Sequence, residues 1–594
     1  MSTAQVSFAA PQGSSAGQTV RRLIVYTLLF ALVVITATGL SGLLRLLFDP
    51  ETILLGENTS SLAQALAFTL IGGPLAAVLW WAVWRRQSEP AERGSLAWGL
   101  YIALVSIVAL ITFTTSLLGA FATLVGGDGD ASAFAVGLVW AAVWIWHRWM
   151  WRNAARGPLR MTVVPAVLGS AFGLIVGVTG AVSALTGVFE AAINGFSDTA
   201  PIGVPWWISS LQALIWAVGG GAVWVWHWYR EQGRTATTAF ANVALIVLGI
   251  LGATLLTLGG IGTALFVVLR LLFDNSDPVR ELVSPLALAI AAAGVGAIVW
   301  VYHRGIALVR SASTRQASIL ATSGVALVAA ASGLGVIVNS ALGILATSLA
   351  GEDTKTLLLG GVSALVVGGP VWWLSWHPLR PADAAAPATG RRIYLIAVFG
   401  LSAVVALITL LVIGFRLFEF FLDGGTDVID ALRAPIGLLT ATVLVAGYHF
   451  SVWRHDRAVA EASAPPPRTR TIGEVILVTG ADPAPLVQVI ESATGASVTV
   501  WQAAVSHPAP PVALDQVLPG SGAQGPLPVP APAEELPTAT GSFAPVPHGM
   551  TPEPSLPHGP DVEKLAHALD GVTGRRVLVV AGADGHLDVI PLAG

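Results

Sequence analysis

Apolar runs of about twenty residues or more follow one another from residue 23 to about residue 453, separated by short polar connections. A helical run of that length crosses the roughly 30 Å hydrocarbon core of a bilayer. The spacing predicts helices over 23–48, 62–84, 97–125, 133–149, 161–190, 207–228, 238–273, 283–303, 316–349, 357–376, 393–422 and 432–453, twelve in six hairpins. The first helix of most hairpins exceeds the bilayer thickness and must tilt, kink or project. The cluster Gly259-Gly260-Ile261-Gly262 is the expected place for a kink or a close helix contact. Arg21 and Arg22 open the first run, which is too long for a signal-peptide core. Residues 1–20 read as a disordered tail.

The second helix of each hairpin ends in rings. Val223-Trp224-Val225-Trp226-His227 recurs as Val143-Trp144-Ile145-Trp146-His147, Val299-Trp300-Val301-Tyr302-His303 and Trp372-Trp373-Leu374-Ser375-Trp376-His377. Tyr448-His449 is a reduced copy, and Arg85 takes the histidine's place in the first hairpin. The charges give these ends a side. The N-terminal flank, the connections between hairpins and the stretch after the last helix hold 21 Arg and 6 acidic residues, whereas the connections within hairpins hold 6 Lys or Arg and 16 Asp or Glu. Lys and Arg are retained in cytoplasmic loops, so the ring-bearing ends and both termini are expected in the cytoplasm.

The hairpins also repeat in threes. Leu44 to Asp49 matches Leu269 to Asp274, and Ser116 to Thr123 resembles Ser340 to Thr347. The expectation is a duplicated six-helix half, residues 21–236 and 237–455, its hairpins parallel about an axis along the membrane normal.

The pattern changes after Arg454. Residues 456–470 read as a linker, and 471–506 with 561–594 as a small cytosolic α/β domain. Its strands are expected at 474–479, 496–501, 576–581 and 587–591, with helices at 485–493 and 561–569 and a hairpin turn at Asp584-Gly585. Between them, 507–560 holds fifteen prolines and reads as a flexible insert.

Composition then narrows the chemistry. Charged residues make up 11% of the 594 and cysteine is absent, which excludes thiolate metal sites, cysteine nucleophiles and disulfides. No Asp, Glu, Lys, Arg or His stands in the central turns of the predicted spans, which argues against ion-coupled carriers and proton pumps. Neither a phosphate-binding glycine loop nor a nucleophile-base pair is present, so no catalytic, cofactor or metal residues are assigned and an enzyme is not expected. Nothing in the sequence points to nucleic acid.

The candidates are therefore few. His147, His227, His303, His377 and His449 share one position in the repeat; the ordinary explanation is an interfacial anchor belt, the sharper one a ring of imidazoles that binds a metal or senses pH. Arg45 with Asp49, Arg270 with Asp274 and Arg416 with Glu419 read first as interfacial pairs, alternatively as an outer ligand vestibule. Among the small uncharged polar residues inside spans, such as Thr114, Thr115, Ser116 and Ser340, Asn339 is the best candidate, a helix-to-helix hydrogen bond being its ordinary use.

Arg21 to Tyr26, Arg391 to Tyr394, Leu44 to Asp49, Trp146-His147-Arg148 and Tyr302-His303-Arg304 give residues 20–455 a resemblance to a bacterial multi-pass membrane family known only as a domain of unknown function. That resemblance implies a bacterial plasma-membrane protein and no established activity. Two functions stand open: a non-enzymatic scaffold or sensor holding a cytosolic interaction domain, with the bilayer and a cytosolic protein as partners, or a transporter or channel for an uncharged or lipid-like solute.

Overall fold

The computed structural model describes residues 15–48, 59–195, 205–274, 277–345, 351–377, 388–423, 428–463, 472–480, 482–502, 562–569, 572, 574–582 and 586–592. The Pro-rich insert, Asp49, residues 464–470 of the linker and the Asp584-Gly585 turn lie outside them. The chain divides into two compact units, Met1–Ala458 and Val459–Gly594.

The first unit is helical. Its long helices are α1 (Ser15–Phe48), α2 (Thr59–Arg86), α3 (Leu96–Gly126), α4 (Ala131–Arg152), α5 (Val164–Asn194), α6 (Trp206–Arg230), α7 (Ala239–Phe273), α8 (Val279–Val309), α9 (Ala312–Leu345), α10 (Gly351–Trp376), α11 (Ala388–Asp423) and α12 (Val428–Ser463). Among the described residues eleven are long and apolar enough to cross a membrane, against twelve expected. The difference is α4, which has 22 residues but carries His147, Arg148 and Arg152 in its last turns. Residues 15–20, expected in the disordered tail, form the first turns of α1, and residues 456–463, expected in the linker, extend α12. No proline interrupts either stretch.

Local signals set the ends. Ser95 Oγ accepts from the Trp98 amide at 3.3 Å and Asp130 Oδ1 from Ala133 at 2.7 Å, each capping a helix start. Gly127, at φ +95°, closes α3 in the left-handed region that a side chain disfavours. The hairpins close on small residues: a Cβ added at Gly180 of α5 would sit 2.3 Å from the Ala217 nitrogen of α6, and one at Gly220 equally close to Gly177. Backbones that near allow the dense packing that holds helices together when lipid removes the hydrophobic drive.

Wide π-turns interrupt α2 at Phe68–Gly72, α6 at Trp226–Arg230 and α7 at Leu245–Gly252. The distortion in α7 thus precedes Gly259 to Gly262. Gly260 instead makes the close contact, its position lying 2.4 Å from the Ala289 oxygen of α8 once a Cβ is added.

The second unit holds β1 (Ile472–Thr479), α13 (Ala484–Thr494), β2 (Ser497–Gln502), α14 (Val562–Leu569), β3 (Gly574–Ala581) and β4 (Leu587–Leu592). The sheet order is β2-β1-β3-β4; β1 runs parallel to β2 and β3, and β4 is antiparallel to β3. Leu486 and Ile490 of α13 and Leu565 and Leu569 of α14 pack in one core with Val475, Leu477, Val577 and Val579. The strand register places Ile476, Leu578 and Ile590 on the opposite face, where Trp501 is 60% exposed and Ile590 46%. Neither α13 nor α14 covers that face.

Candidate functional site

The ring-bearing ends of the second helices meet across neighbouring hairpins. In the third and fourth hairpins Trp228 Nε1 donates to Tyr302 Oη at 2.8 Å, Trp224 lies 5.5 Å and 75° from the Tyr302 ring, and Trp228 lies 5.7 Å from His303 at 55°. The fifth and sixth repeat this: Trp376 Nε1 donates to Tyr448 Oη at 2.8 Å, Trp372 lies 5.5 Å and 75° from Tyr448, and Trp376 lies 5.6 Å from His449 at 55°. In the first and second, Trp80 and Trp84 meet His147 at 5.7 Å and Trp146 at 6.0 Å. Edge-on and tilted rings of this kind match the positive edge of one to the negative face of the next.

The equivalent positions are thus Trp80/Trp84, Trp224/Trp228 and Trp372/Trp376 on one helix, and Trp146-His147, Tyr302-His303 and Tyr448-His449 on its neighbour. A tryptophan four residues after another, alternating with an aromatic-His pair, is visible in the sequence once alternate hairpins are compared. Aligning every hairpin on its histidine hides it.

His377 is the casualty of that alignment. It is exposed and touches the Trp373 ring at 6.1 Å, while Trp376 is 1% exposed and fills the junction. The other four imidazoles are buried and share one anchor: Nδ1 of His147, His227, His303 and His449 lies 2.8–2.9 Å from the carbonyl oxygen four residues back. A carbonyl has no hydrogen to give, so Nδ1 donates, and Nε2 faces the neighbouring helices. Their surroundings differ. His147 Nε2 meets Tyr101 Oη at 3.1 Å, and His449 packs on Tyr394 and Trp376. His303 sits against Gly249 in the π-turn of α7, where an added Cβ would lie 2.6 Å from its ring. His227 sits against Gly169 and 3.6 Å from Glu231. Each ring belongs to its own junction, and among the described residues no group of three His, Cys, Asp or Glu is placed to hold a metal.

Three of the six acidic residues on the arginine-rich side are held by arginines. Arg22 grips Glu92 at 3.0–3.1 Å, Arg391 grips Asp456 at 2.8–3.2 Å, and Arg148 Nε meets Glu231 Oε1 at 2.6 Å. Arg310, between α8 and α9, spans Asn242 Oδ1 at 2.6 Å and the Arg234 carbonyl at 2.8 Å, and burial draws its guanidinium below the usual arginine value. Of the residues that line one pocket with His227, Ser106 and Glu231 were not singled out in the sequence, and Arg148 only as the end of the run Trp146-His147-Arg148. The only hint was an acid four residues after a histidine.

At the other helix ends, Arg270 bonds Asp274 at 3.2 Å and Asp277 at 2.5 Å, and Asp274 also accepts from Thr356 of α10 at 3.0 Å. Arg416 donates to the Ala431 carbonyl. Arg45 Nε is buried and has no hydrogen-bond partner among the described residues. Asn339 Oδ1, also without one, lies on a mainly apolar cavity of about 690 Å³ between α9, α11 and α12, lined by Leu327, Val336, Leu401, Leu438 and Val445 among others. A second apolar cavity, about 430 Å³, lies between α1, α2 and α4.

These features define a multi-pass helical membrane protein carrying a small α/β unit. Two stretches, residues 22–145 and 316–448, match the same family, a domain of unknown function (DUF5671). The first match spans α1, α2, α3 and most of α4, the second nearly all of α9 through α12. No curated protein and no solved structure matches the chain.

Proposed function

We propose that this is a non-enzymatic scaffold or sensor of a bacterial plasma membrane, both termini in the cytoplasm, whose bundle anchors a cytosolic interaction domain. The observation that carries the reading is the outer sheet face, where exposed Trp501 and Ile590 and half-buried Ile476 and Leu578 lie beside the Arg576–Glu474 ion pair, a mixed apolar and charged surface of the kind that receives a protein partner. The large cavities in the bundle are apolar and offer no chain of polar groups to a hydrophilic solute. The alternative, passage of an uncharged or lipid-like solute, draws on the same cavities.

The reading includes twelve spans, α4 among them. Two registers of repetition compete: a duplicated half of three hairpins, and a repeat of hairpin pairs. The second is favoured by the three like ring clusters and by a family match at each end of the bundle.

Reconstitution separates the functions. Proteoliposomes are expected to swell in glycerol, and to scramble fluorescent phospholipid, no faster than protein-free vesicles; a protein-dependent rate overturns the scaffold. Topology is tested by single cysteines at Ala154 and Ala131 with an impermeant reagent on intact cells. Labelling at 131 and not at 154 is expected, and the reverse refutes the orientation.

A further inference from the structure

A small pocket lies where α3, α4, α5 and α6 meet, lined by Ser106, Leu110, Trp144, Arg148, His227 and Glu231 among others. Its free space, about 10 Å³, is that of one water. Two polar atoms at it have no hydrogen-bond partner among the described residues. Ser106, 5% exposed, has no partner for Oγ, and Glu231, 6% exposed, has none for Oε2. His227 Nε2 stands 3.6 Å from that same Oε2, beyond hydrogen-bond length.

The chemistry of the pair is fixed by its other contacts. Nδ1 of His227 spends its hydrogen on the Val223 carbonyl at 2.9 Å, so the neutral ring presents a bare acceptor at Nε2. Arg148 Nε at 2.6 Å and Trp226 Nε1 at 3.3 Å occupy Oε1 of Glu231 and leave Oε2 to face the imidazole. A buried carboxylate oxygen without a donor, set against an acceptor nitrogen at 3.6 Å, is a costly arrangement that one proton resolves. Around the ring, α3 contributes Ser106, α4 contributes Arg148 and two tryptophans, α5 contributes Pro165 and Gly169, and α6 and the residue after it contribute Glu231; Arg148 and Glu231 are the charged groups that act on it.

We propose that this pocket is a proton-binding site, in which His227 Nε2 takes a proton from solvent and shares it with Glu231 Oε2, directly or through a single water also held by Ser106. No covalent bond other than N–H forms. The junction between the second and third hairpins then gains one positive charge as pH falls, and the 3.6 Å gap closes to a charge-assisted hydrogen bond. His147 meets a tyrosine hydroxyl instead, and among the described residues no carboxylate is bonded to His303 or His449, so the property belongs to His227 among these buried imidazoles. The site is independent of the scaffold reading, since its titration is read without any partner or transported solute.

The test is imidazole ¹⁵N NMR of the full chain, labelled at histidine, in lipid nanodiscs titrated from pH 8 downward, with His227→Gln assigning the resonance. His227 is expected to take its proton at a higher pH than His147, His303 and His449. Glu231→Gln is expected to weaken that proton's binding about tenfold or more, the effect of removing an opposite charge at this range. Protonation of His227 no earlier than the other three, or an unchanged midpoint in Glu231→Gln, overturns the site. Should Glu231→Gln not fold, the order of protonation in the unaltered protein decides alone.

Discussion

Two junctions in the bundle are built on the same histidine and put it to different use. Between the third and fourth hairpins, His303 is enclosed by Trp224, Trp228 and Tyr302, and its environment is aromatic. Between the second and third, His227 faces Glu231, Arg148 and Ser106. The helix treats both alike: Nδ1 reaches the carbonyl four residues back, and the ring lies against a glycine, Gly249 or Gly169, of the partner helix. What differs is the group that other helices bring to Nε2. Sequence position therefore orients the imidazole, and tertiary neighbours give it a role.

The largest expected effect lies at the charged junction. Arg148→Ala leaves the Glu231 carboxylate, its side chain 1% exposed, without its cation, a change that costs about 3–5 kcal/mol for a broken buried pair. Thermal unfolding in detergent should show a large fall in midpoint; an unchanged midpoint would mean the carboxylate is not held charged. At the aromatic junction, Tyr302→Phe strands the Trp228 indole N–H and should cost about 1–3 kcal/mol, because a buried donor loses its acceptor. Tyr448→Phe should cost a similar amount through Trp376, and unequal losses would break the equivalence of the two ring clusters.

Smaller and sharper is Gly169→Ala. The new methyl would lie 2.3 Å from His227 Cδ2 and must displace the ring, an overpacking cost of about 1–3 kcal/mol that should also alter the proton titration of His227. Gly249→Ala should carry a comparable penalty at His303 and leave the His227 titration alone. The smallest effect belongs to His377→Ala, which should change stability by about 0.5 kcal/mol or less because the side chain is exposed. A loss matching that of His449→Ala would restore His377 to the repeat.

Much of the fold was legible because its signals are local. Apart from the start of α1 and the end of α12, which run eight and ten residues beyond the expected bounds, the predicted spans follow the observed helices to within about six residues, since each is an uninterrupted apolar run, and the strands of the second unit follow their alternation. The tail's β1, β2, β3 and β4 were readable one by one, whereas their order needed the pairing of residues a hundred positions apart, such as Glu474 with Arg576. The Trp and His runs were legible as a periodic feature at the ends of the second helices. Their register was not, because the histidine is the most conspicuous residue of each run and Trp376, one residue earlier, proved to be the one that fills the junction.

By itself the sequence determined that this chain makes long apolar helices in hairpins, with arginine and aromatic side chains gathered at one end of each, because hydropathy, length and charge act residue by residue. Tertiary structure alone decided which second helices share rings, where the helices widen into π-turns, and that Ser106, Arg148, His227 and Glu231, scattered over 126 positions, border one pocket. Those outcomes depend on which faces meet when hairpins close on glycine contacts of a few ångströms, and no single segment carries that information.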